Sequence, residues 1–331
     1  MAMNKQWIYA RKPNGQIGAG NFDLHEAPVP QACAGEVVVR STMLQFDAAS
    51  RAWMQGQTYR SQLNPGDVMA GRGLGEVIES KADGIAVGDM VMGDIGWQTH
   101  AALRARDVVK LDKAVAPELH LSVYGITGLT AYFGLIDVGR PRPGETVLVS
   151  AAAGAVGVLV GQIAKITGCT VIGTASGKDK GDWLVKEVGY DAVVDYRDGN
   201  IAANIKKVAP QGIDVYFDNT GGDVLGAALA RMNMWGRVAC CGAVANYDTA
   251  TPSPGPAGVP GFLVTKRIRM EGFVVMDFFN RRREAETQLH RWVRSGQLKP
   301  IVDIVEGFEK MPETLVGMFA GKNRGKLMVR V

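Results

Sequence analysis

The fold is decided by the segment Thr146-Val-Leu-Val-Ser-Ala-Ala-Ala-Gly-Ala-Val-Gly-Val-Leu-Val-Gly-Gln-Ile-Ala164. Its apolar start, residues 147–149, has the composition of a buried strand, and a turn of small residues leads from it directly into a helix-like run. In that turn, Ala152-x-Gly154-x-x-Gly157 has the spacing of the dinucleotide fingerprint, with Ala in place of the first Gly. The helix N-terminus offers unpaired N–H groups to a pyrophosphate, so we expect a nucleotide to contact Gly154, Ala155, Val156 and Gly157.

Around this segment the chain divides into three zones. Residues 1–122 are β-rich, with short strands predicted at 37–40, 75–79 and 90–92. In residues 123–296, strands predicted at 147–150, 170–174, 192–195, 213–217, 236–241 and 269–274 alternate with helices at 155–167, 180–188, 200–208 and 222–233. This order predicts an α/β fold with a doubly wound parallel sheet. Residues 297–331 are mixed, and a strand at 326–331 could rejoin the first zone.

Composition argues against several other classes of protein. The 331 residues are 47% hydrophobic and 21% charged, with a net charge of only +4, so nucleic acid is not an expected partner. The N-terminal twelve or so residues lack the apolar core of a signal peptide, and segment 146–164 contains a glycine turn, so no membrane association is expected. The cysteines at 33, 169, 240 and 241 show neither metal spacing nor a disulfide pattern, which favours the cytoplasm.

The second predicted strand indicates which nucleotide would bind. In NAD sites an acidic residue near the end of this strand binds the ribose hydroxyls. Here the strand ends Val171-Ile-Gly-Thr-Ala-Ser-Gly177 without an acid, and Lys178 and Lys180 follow. Cations without a carboxylate suit a 2′-phosphate, so NADP(H) is favoured as the cofactor. A solvated helix start is the alternative, and Asp179 lies between the two lysines.

The ends of the next three strands carry residues suited to ligand contacts. They read Asp195-Tyr196-Arg197, Asp218-Asn219-Thr-Gly-Gly222 and Cys241-Gly242-Ala-Val-Ala-Asn-Tyr247. In doubly wound sheets, ligands bind at the carboxyl ends of the strands. The Pro- and Gly-rich segment 251–261 follows the fifth strand, and we interpret it as a lid or substrate-pocket wall, with a plain surface loop as the alternative.

Four motifs of this chain are characteristic when taken together: Gly128-Leu-Thr-Ala-Tyr-Phe-Gly134, Ala151-Ala-Ala-Gly-Ala-Val-Gly157, Asp218-Asn-Thr-Gly-Gly222 and Glu271-Gly-Phe273. With them the sequence resembles the medium-chain dehydrogenase/reductases, especially their NADP-dependent prostaglandin, alkenal and curcumin reductases. The resemblance implies a GroES-like substrate domain in residues 1–122, a Rossmann NADP-binding domain in 123–296, a return to the first domain in 297–331, and a homodimer. It also implies cofactor contacts: at the 2′-phosphate from Lys180 and Tyr196, and near the ribose and nicotinamide from Asn219, Cys241, Gly242, Tyr247, Phe273, Val274, Val275 and Asn323.

The residues that bind zinc in related alcohol dehydrogenases are missing from this sequence. Where those enzymes carry a Cys-His pair and a Gly-His-Glu motif, this chain reads Leu44-Gln45-Phe46-Asp47 and Gly71-Arg72-Gly73. Its four histidines are scattered. No metal site is therefore expected, and oxidation of plain alcohols, which needs a Lewis acid in those enzymes, becomes a poor prediction.

Zinc-free members of the family reduce carbon–carbon double bonds conjugated to a carbonyl group. The resemblance therefore implies an NADPH-dependent reductase of α,β-unsaturated ketones or aldehydes, with an unsaturated carbonyl compound as its small-molecule partner. A quinone oxidoreductase and a non-catalytic NADPH-binding protein are the alternatives. Tyr247 is the candidate hydrogen-bond donor to the substrate carbonyl, although it could instead pack against the ribose or the lid.

Two substrate-pocket tyrosines of the better-known reductases correspond to Ala49 and Thr265 in this chain. Their replacement argues against prostaglandin or leukotriene specificity. Tyr59, Trp53 and Trp97 could form aromatic pocket walls instead, or could simply pack in the core.

Overall fold

The computed structural model describes residues 3–331 and divides the chain into two compact units. The N-terminal unit contains the chain up to Leu121 together with Val302–Val331, and the central unit is Ser122–Ile301. The central unit therefore extends beyond residue 296, where the predicted nucleotide-binding domain ends. The reason is local: the Gln162 side chain accepts a hydrogen bond from the Lys299 N–H at 2.8 Å and donates one to the Lys299 carbonyl at 3.0 Å.

The N-terminal unit is built on a mixed sheet of seven strands. The strands of the whole unit are β1 (Met3–Tyr9), β2 (Phe22–Pro28), β3 (Glu36–Gln45), β4 (Gly73–Ser80), β5 (Met90–Gly93), β6 (His100–Arg104), β7 (Val109–Lys110), β14 (Val302–Glu306) and β15 (Lys326–Arg330). The sheet runs in the order β14-β15-β3-β4-β5-β7, with β6 also paired to β3, while β1 and β2 form a separate ribbon. Met328 pairs with Gln45, so the last strand does rejoin the first zone.

Aromatic packing forms the core of the N-terminal unit. Trp97, only 2% exposed, lies 5.2 Å from Phe22 and 5.4 Å from Phe46 between ring centroids. The helices of this unit are short: α1 (Ala49–Trp53), α2 (Pro117–Leu121) and α10 (Met311–Phe319). The core therefore combines the sheet and buried rings with the inner faces of the short helices, from which Met311 and Leu315 are fully buried.

The central unit contains a parallel sheet of six strands with helices between them. Its strands are β8 (Thr146–Val149), β9 (Thr170–Ala175), β10 (Ala192–Asp195), β11 (Ile213–Asp218), β12 (Met232–Cys240) and β13 (Arg269–Gly272), and its helices are α3 (Ile126–Phe133), α4 (Ala155–Ile166), α5 (Lys178–Trp183), α6 (Ile201–Val208), α7 (Gly222–Arg231), α8 (Val259–Lys266) and α9 (Arg282–Arg294). The strand order β10-β9-β8-β11-β12-β13 confirms the doubly wound fold.

Four predicted elements differ from the structure in their bounds. The helix predicted at 180–188 begins at Lys178 and changes to a π-helical turn over Leu184–Val188. The fifth strand begins at Met232 rather than 236, and the sixth ends at Gly272 rather than 274. Helix α8 begins inside the predicted loop 251–261, with Pro260 in its first turn, where the missing N–H does no harm. In residues 3–331, no helix has both the length and the apolar character needed to span a bilayer.

Candidate functional site

The strand order of the central sheet reverses between β8 and β11, which creates a crevice at their carboxyl ends. At the end of β8, Ala151 adopts a left-handed φ of 48°, and Gly154 is the N-cap of α4 without any side chain capping the helix. The first helical hydrogen bond runs from the Val158 N–H to the Gly154 carbonyl at 3.0 Å. The preceding N–H groups of this first turn have no intrahelical acceptor, so they can receive an anion.

The helix can approach this turn closely only because residue 157 is glycine. A Cβ on Gly157 would lie 2.4 Å from the Ala151 carbonyl oxygen and 2.8 Å from the Ala152 Cα. Gly154 is less crowded, since its Cβ would lie 3.2 Å from the same carbonyl. The turn therefore fits a pyrophosphate cradle, and the predicted residues 154–157 lie together in it.

Two predicted 2′-phosphate residues lie at the ends of neighbouring strands. Parallel pairing of Asp195 with Ala175 aligns the ends of β10 and β9. Lys180 is half-buried on α5, just after β9, and Tyr196, just after β10, is 46% exposed. The sequence also offers Lys178 as a cation for the 2′-phosphate. In the structure its ammonium forms an ion pair with Asp182 of the same helix, at 2.6 Å.

Asp218, at the end of β11, organises the centre of this edge. The residue is 2% exposed, and its Oδ1 accepts hydrogen bonds from the Tyr216 hydroxyl at 2.7 Å and from the N–H groups of Gly221 at 2.8 Å and Thr220 at 3.0 Å. Asn219 is tied to β8, because its N–H donates to the Ser150 hydroxyl at 2.8 Å and its amide to the Ser150 carbonyl at 2.7 Å. The hydrogen bonds thus join the two strands that flank the crevice.

The turn after β12 reaches the same edge. The N–H groups of Cys241 and Gly242 both donate to the Asp218 carbonyl, at 2.8 and 3.1 Å. The Tyr247 hydroxyl oxygen accepts a hydrogen bond from the Ala243 N–H at 3.2 Å. Burial, reinforced by the nearby Asp218 carboxylate, raises the pKa of the Cys240 and Cys241 thiols to about 12, so both stay protonated near neutral pH.

The Pro-rich loop is fastened directly beside Tyr247. Asn246 donates from its side-chain amide to the Ser253 carbonyl at 3.2 Å and accepts from the Ser253 N–H at 3.0 Å. A Cβ on Gly226 would lie 3.2 Å from Pro256, so the loop also packs on α7. These contacts hold it near the end of β12.

The remaining predicted cofactor residues are 273–275, which follow β13, and Asn323. The Phe273 ring packs on Phe217 with centroids 6.1 Å apart but is only half-buried, whereas the Val275 side chain, 7% exposed, belongs to the interior. Val274, between them, is half-buried. Asn323 belongs to the N-terminal unit, where its amide donates to the Gly325 carbonyl at 3.0 Å.

The three aromatic residues suggested as pocket walls differ in exposure. Trp97 and Trp53 are 2% and 7% exposed and belong to the core, which favours the alternative of core packing, while Tyr59 is 59% exposed. Thr265 is an exposed residue of α8 whose hydroxyl donates to the Gly261 carbonyl at 2.7 Å. Ala49 is the first residue of α1.

In the stretch that aligns with the zinc ligands of alcohol dehydrogenases, the structure has an ion pair. The Lys326 ammonium, on a residue 2% exposed, donates to Asp47 Oδ1 at 2.7 Å and to the Phe46 carbonyl at 2.9 Å. Gln45 donates to the other carboxylate oxygen at 2.8 Å. Across the described part of the chain, no three His, Cys, Asp or Glu side chains gather as metal ligands would.

Sequence reasoning missed two residues that shape this edge. Tyr190 and Ser150 position the glycine turn and Asn219, and neither follows a recognisable motif, because each acts through a contact with residues distant in the sequence. Arg197 belongs to a strand end that the sequence does single out, but without a role of its own, and in the structure it lies against Gly177.

Two family profiles match the chain. Residues 5–111 match a family described as the N-terminal domain of oxidoreductase, and residues 155–294 match one described as zinc-binding dehydrogenase. Among similar proteins, the NADPH-dependent curcumin reductase of Escherichia coli is 36% identical, over 99% of this chain and 97% of that protein. The NADP(+)-dependent 2-alkenal reductase of Nicotiana tabacum is 37% identical, over 99% and 97%.

A solved structure shares the whole architecture. The crystal structure of CurA from Vibrio vulnificus in complex with NADPH superimposes with a TM-score of 0.94, at 34% identity and with 99% of each chain covered. The similarity spans the glycine turn, the crevice edge and both units alike.

Proposed function

The chain belongs to the medium-chain dehydrogenase/reductase family, and we propose that it is an NADPH-dependent reductase of the carbon–carbon double bond in α,β-unsaturated ketones or aldehydes. The observation that carries this proposal is the meeting of the uncapped α4 start, Asn219 and the 241–247 turn at one edge of the sheet. Relatives that are named for NADPH, for curcumin and for 2-alkenals support the cofactor and the substrate class.

We propose that the backbone of residues 154–157 holds the pyrophosphate of NADPH. Lys180 and Tyr196 bind its 2′-phosphate end, and Asn219 with the 241–242 turn contacts the ribose and nicotinamide. Phe273, Val274 and Val275 also contact it, and Val275 does so through its backbone because its side chain is buried. Bound NADPH supplies the hydride for the β-carbon of the substrate.

We assign to Tyr247 the stabilisation of the negative charge that develops on the substrate carbonyl oxygen. A hydroxyl group can accept one hydrogen bond and donate another at the same time. The Ala243 N–H donates a hydrogen bond to the Tyr247 oxygen and so holds this oxygen in position. A donor held in place before the reaction stabilises the transition state without reorganisation.

The proposal is tested by following nicotinamide absorbance with the full chain and a panel of enals, enones, quinones and saturated alcohols. We expect turnover of enals or enones with NADPH, and much slower turnover with NADH. Failure to reduce any α,β-unsaturated carbonyl compound would contradict the proposal. Preference for quinones would instead favour the alternative quinone oxidoreductase.

We also propose that the protein is a homodimer formed through the β13 edge of the central sheet. Strand β13 is the last of its sheet, and Met276 and Phe279 just beyond it are 37% and 42% exposed. An edge strand with neighbouring apolar side chains suits isologous pairing with a second copy. Light scattering after size exclusion should give twice the monomer mass, and a Met276→Lys variant should shift it toward the monomer; a monomeric parent would contradict the proposal.

A cytoplasmic location is our proposal for the compartment. All four cysteines are free thiols, as suits a reducing environment. Cell fractionation followed by detection of the chain would test it, and recovery with membranes or secreted material would contradict it.

A further inference from the structure

We propose that Arg197 binds the 2′-phosphate of NADPH and, together with Lys180, sets the preference for NADPH over NADH. This inference rests on the proposed cofactor. It adds to the predicted phosphate site a residue that the sequence motifs do not assign.

The Arg197 guanidinium lies directly against the turn that follows β9. A Cβ built on Gly177 would be 2.6 Å from Arg197 Nη2 and 3.8 Å from its Cζ. Gly177 also has φ of 80°, which side chains rarely adopt. The guanidinium therefore occupies the space that a side chain at position 177 would need, at the strand end where dinucleotide enzymes read the ribose substituent.

Asp195 holds this arrangement together. Its Oδ2 accepts the Gly177 N–H at 2.7 Å, and its Oδ1 accepts the Arg197 N–H at 3.0 Å and lies 3.5 Å from Arg197 Nε. Both oxygens of the carboxylate thus accept hydrogen bonds within the turn. The same contacts hold the Arg197 backbone at the end of β10 and place its Nε beside the Asp195 carboxylate.

Arg197 also faces a carboxylate, but through Nε at 3.5 Å, and its Nη2 lies against the turn after β9. Lys178 is bound to Asp182 and its side chain is 84% exposed. Asp179 is exposed on α5, and Asp195 already serves the turn. Arg197 keeps a 60% exposed side chain, and a guanidinium can bind two phosphate oxygens at once.

The test uses the full chain and isothermal titration with NADP⁺, NAD⁺ and 2′,5′-ADP. Arg197→Gln should raise the dissociation constant for NADP⁺ and for 2′,5′-ADP about tenfold or more, because charge-assisted hydrogen bonds to the phosphate are lost. Binding of NAD⁺ should change less than about twofold on the same grounds. Lys178→Gln is the matched control, and it should leave all three affinities unchanged, while Lys180→Ala should resemble Arg197→Gln.

Arg197→Lys should recover part of the lost affinity, since a lysine can bind phosphate as a point charge. Equal weakening of NAD⁺ and NADP⁺ in Arg197→Gln would show that the arginine only supports the turn and would overturn the inference, as would no weakening at all. A wild-type chain that binds neither nucleotide would instead refute the proposed cofactor. Enone turnover by the wild-type chain is measured separately. A failure of the proposed reaction can then be distinguished from a failure of the Arg197 inference and from a failure of the proposed cofactor.

Discussion

The Tyr190 hydroxyl donates to the Gly157 carbonyl at 2.8 Å, which ties the strand region before β10 to the first turn of α4. The residue is 2% exposed, and a Cβ on Gly161 would lie 2.3 Å from its ring. A Cβ on Gly173, in β9, would lie 3.0 Å from the same ring. One buried tyrosine therefore sets how closely α4 and β9 approach, and so where the uncapped N–H groups of the glycine turn point.

A methyl group at position 157 should disturb both stability and cofactor binding. Because the Ala151 carbonyl would lie 2.4 Å from the new Cβ, Gly157→Ala must move the helix or the turn. We expect a loss of about 1–3 kcal/mol in the free energy of unfolding, measured in urea, and weaker NADP⁺ binding by titration.

Gly261→Ala is the matched control for this change. Gly261 lies in α8, is exposed, and has no atom within 4 Å of the point that a Cβ would occupy. The variant should gain roughly 0.5–1 kcal/mol with unchanged NADP⁺ affinity, since alanine favours a helix. Equal stability of Gly157→Ala and the parent protein would show that the close approach is not needed.

Two buried tyrosines should make the protein lose stability in alkali. Burial raises the pKa of Tyr190 and Tyr216 above the usual value near 10, with Asp218 adding to the shift at Tyr216. Below pH of about 10 both folded and unfolded chains keep these protons, so these groups contribute no pH dependence. Above it the unfolded chain ionises first, and each tyrosine lowers the free energy of unfolding by up to about 1.4 kcal/mol per pH unit.

Tyr190→Phe should reduce the alkaline loss of unfolding free energy by the contribution of one tyrosine. The measurement is the urea midpoint at a series of pH values on either side of the ordinary tyrosine pKa, compared with the parent protein. Identical alkaline slopes in the two proteins would show that Tyr190 ionises as easily in the folded state as in the unfolded chain.

Asp218→Asn should weaken the whole edge of the crevice. The exchange keeps the shape of the side chain but removes the charge that Tyr216, Thr220 and Gly221 donate to. Hydrogen bonds to a charged acceptor are stronger, so we expect a loss of about 1.5–3 kcal/mol in thermal or urea unfolding. Ser150→Ala removes one neutral contact to Asn219 and one longer contact, 3.3 Å, to the same Asp218 oxygen, and should cost only about 1 kcal/mol because three shorter donors to the carboxylate remain. A smaller effect for Asp218→Asn than for Ser150→Ala would refute this order.

The doubly wound sheet can be predicted from the sequence because its central strands, such as β8 and β9, are short apolar runs bounded by turn residues. The β8 run, the glycine turn and α4 agree with their predicted bounds within one or two residues for the same reason. The return of the last strand to the first zone is also predicted, and pairing of Met328 with Gln45 confirms it. Local composition is sufficient in these cases.

Contacts between distant segments cannot be predicted in this way. In the sequence, nothing distinguishes Tyr190 from any tyrosine after a glycine. Only the fold brings its hydroxyl to the Gly157 carbonyl. An aromatic residue near a strand end, such as Trp97, suits either a pocket wall or a core, and its burial decides for the core. Lys178 suits a phosphate by its position in the sequence, but in the structure its ammonium binds Asp182, four residues along the helix.

The role of Tyr247 can be separated from a packing role by removing only its hydroxyl. Tyr247→Phe loses the oxygen that accepts the Ala243 N–H and, on our proposal, the donor to the substrate carbonyl. We expect kcat with a good enone to fall about 100- to 1,000-fold, as when other oxyanion donors are removed, while NADP⁺ affinity stays within about twofold. Phe262→Leu, a change on α8 where it packs against the core of the central unit, serves as the control and should leave kcat unchanged. An unchanged kcat in Tyr247→Phe would remove it as the donor, and an equal loss of NADP⁺ affinity would mean that the hydroxyl mainly shapes the 241–247 turn.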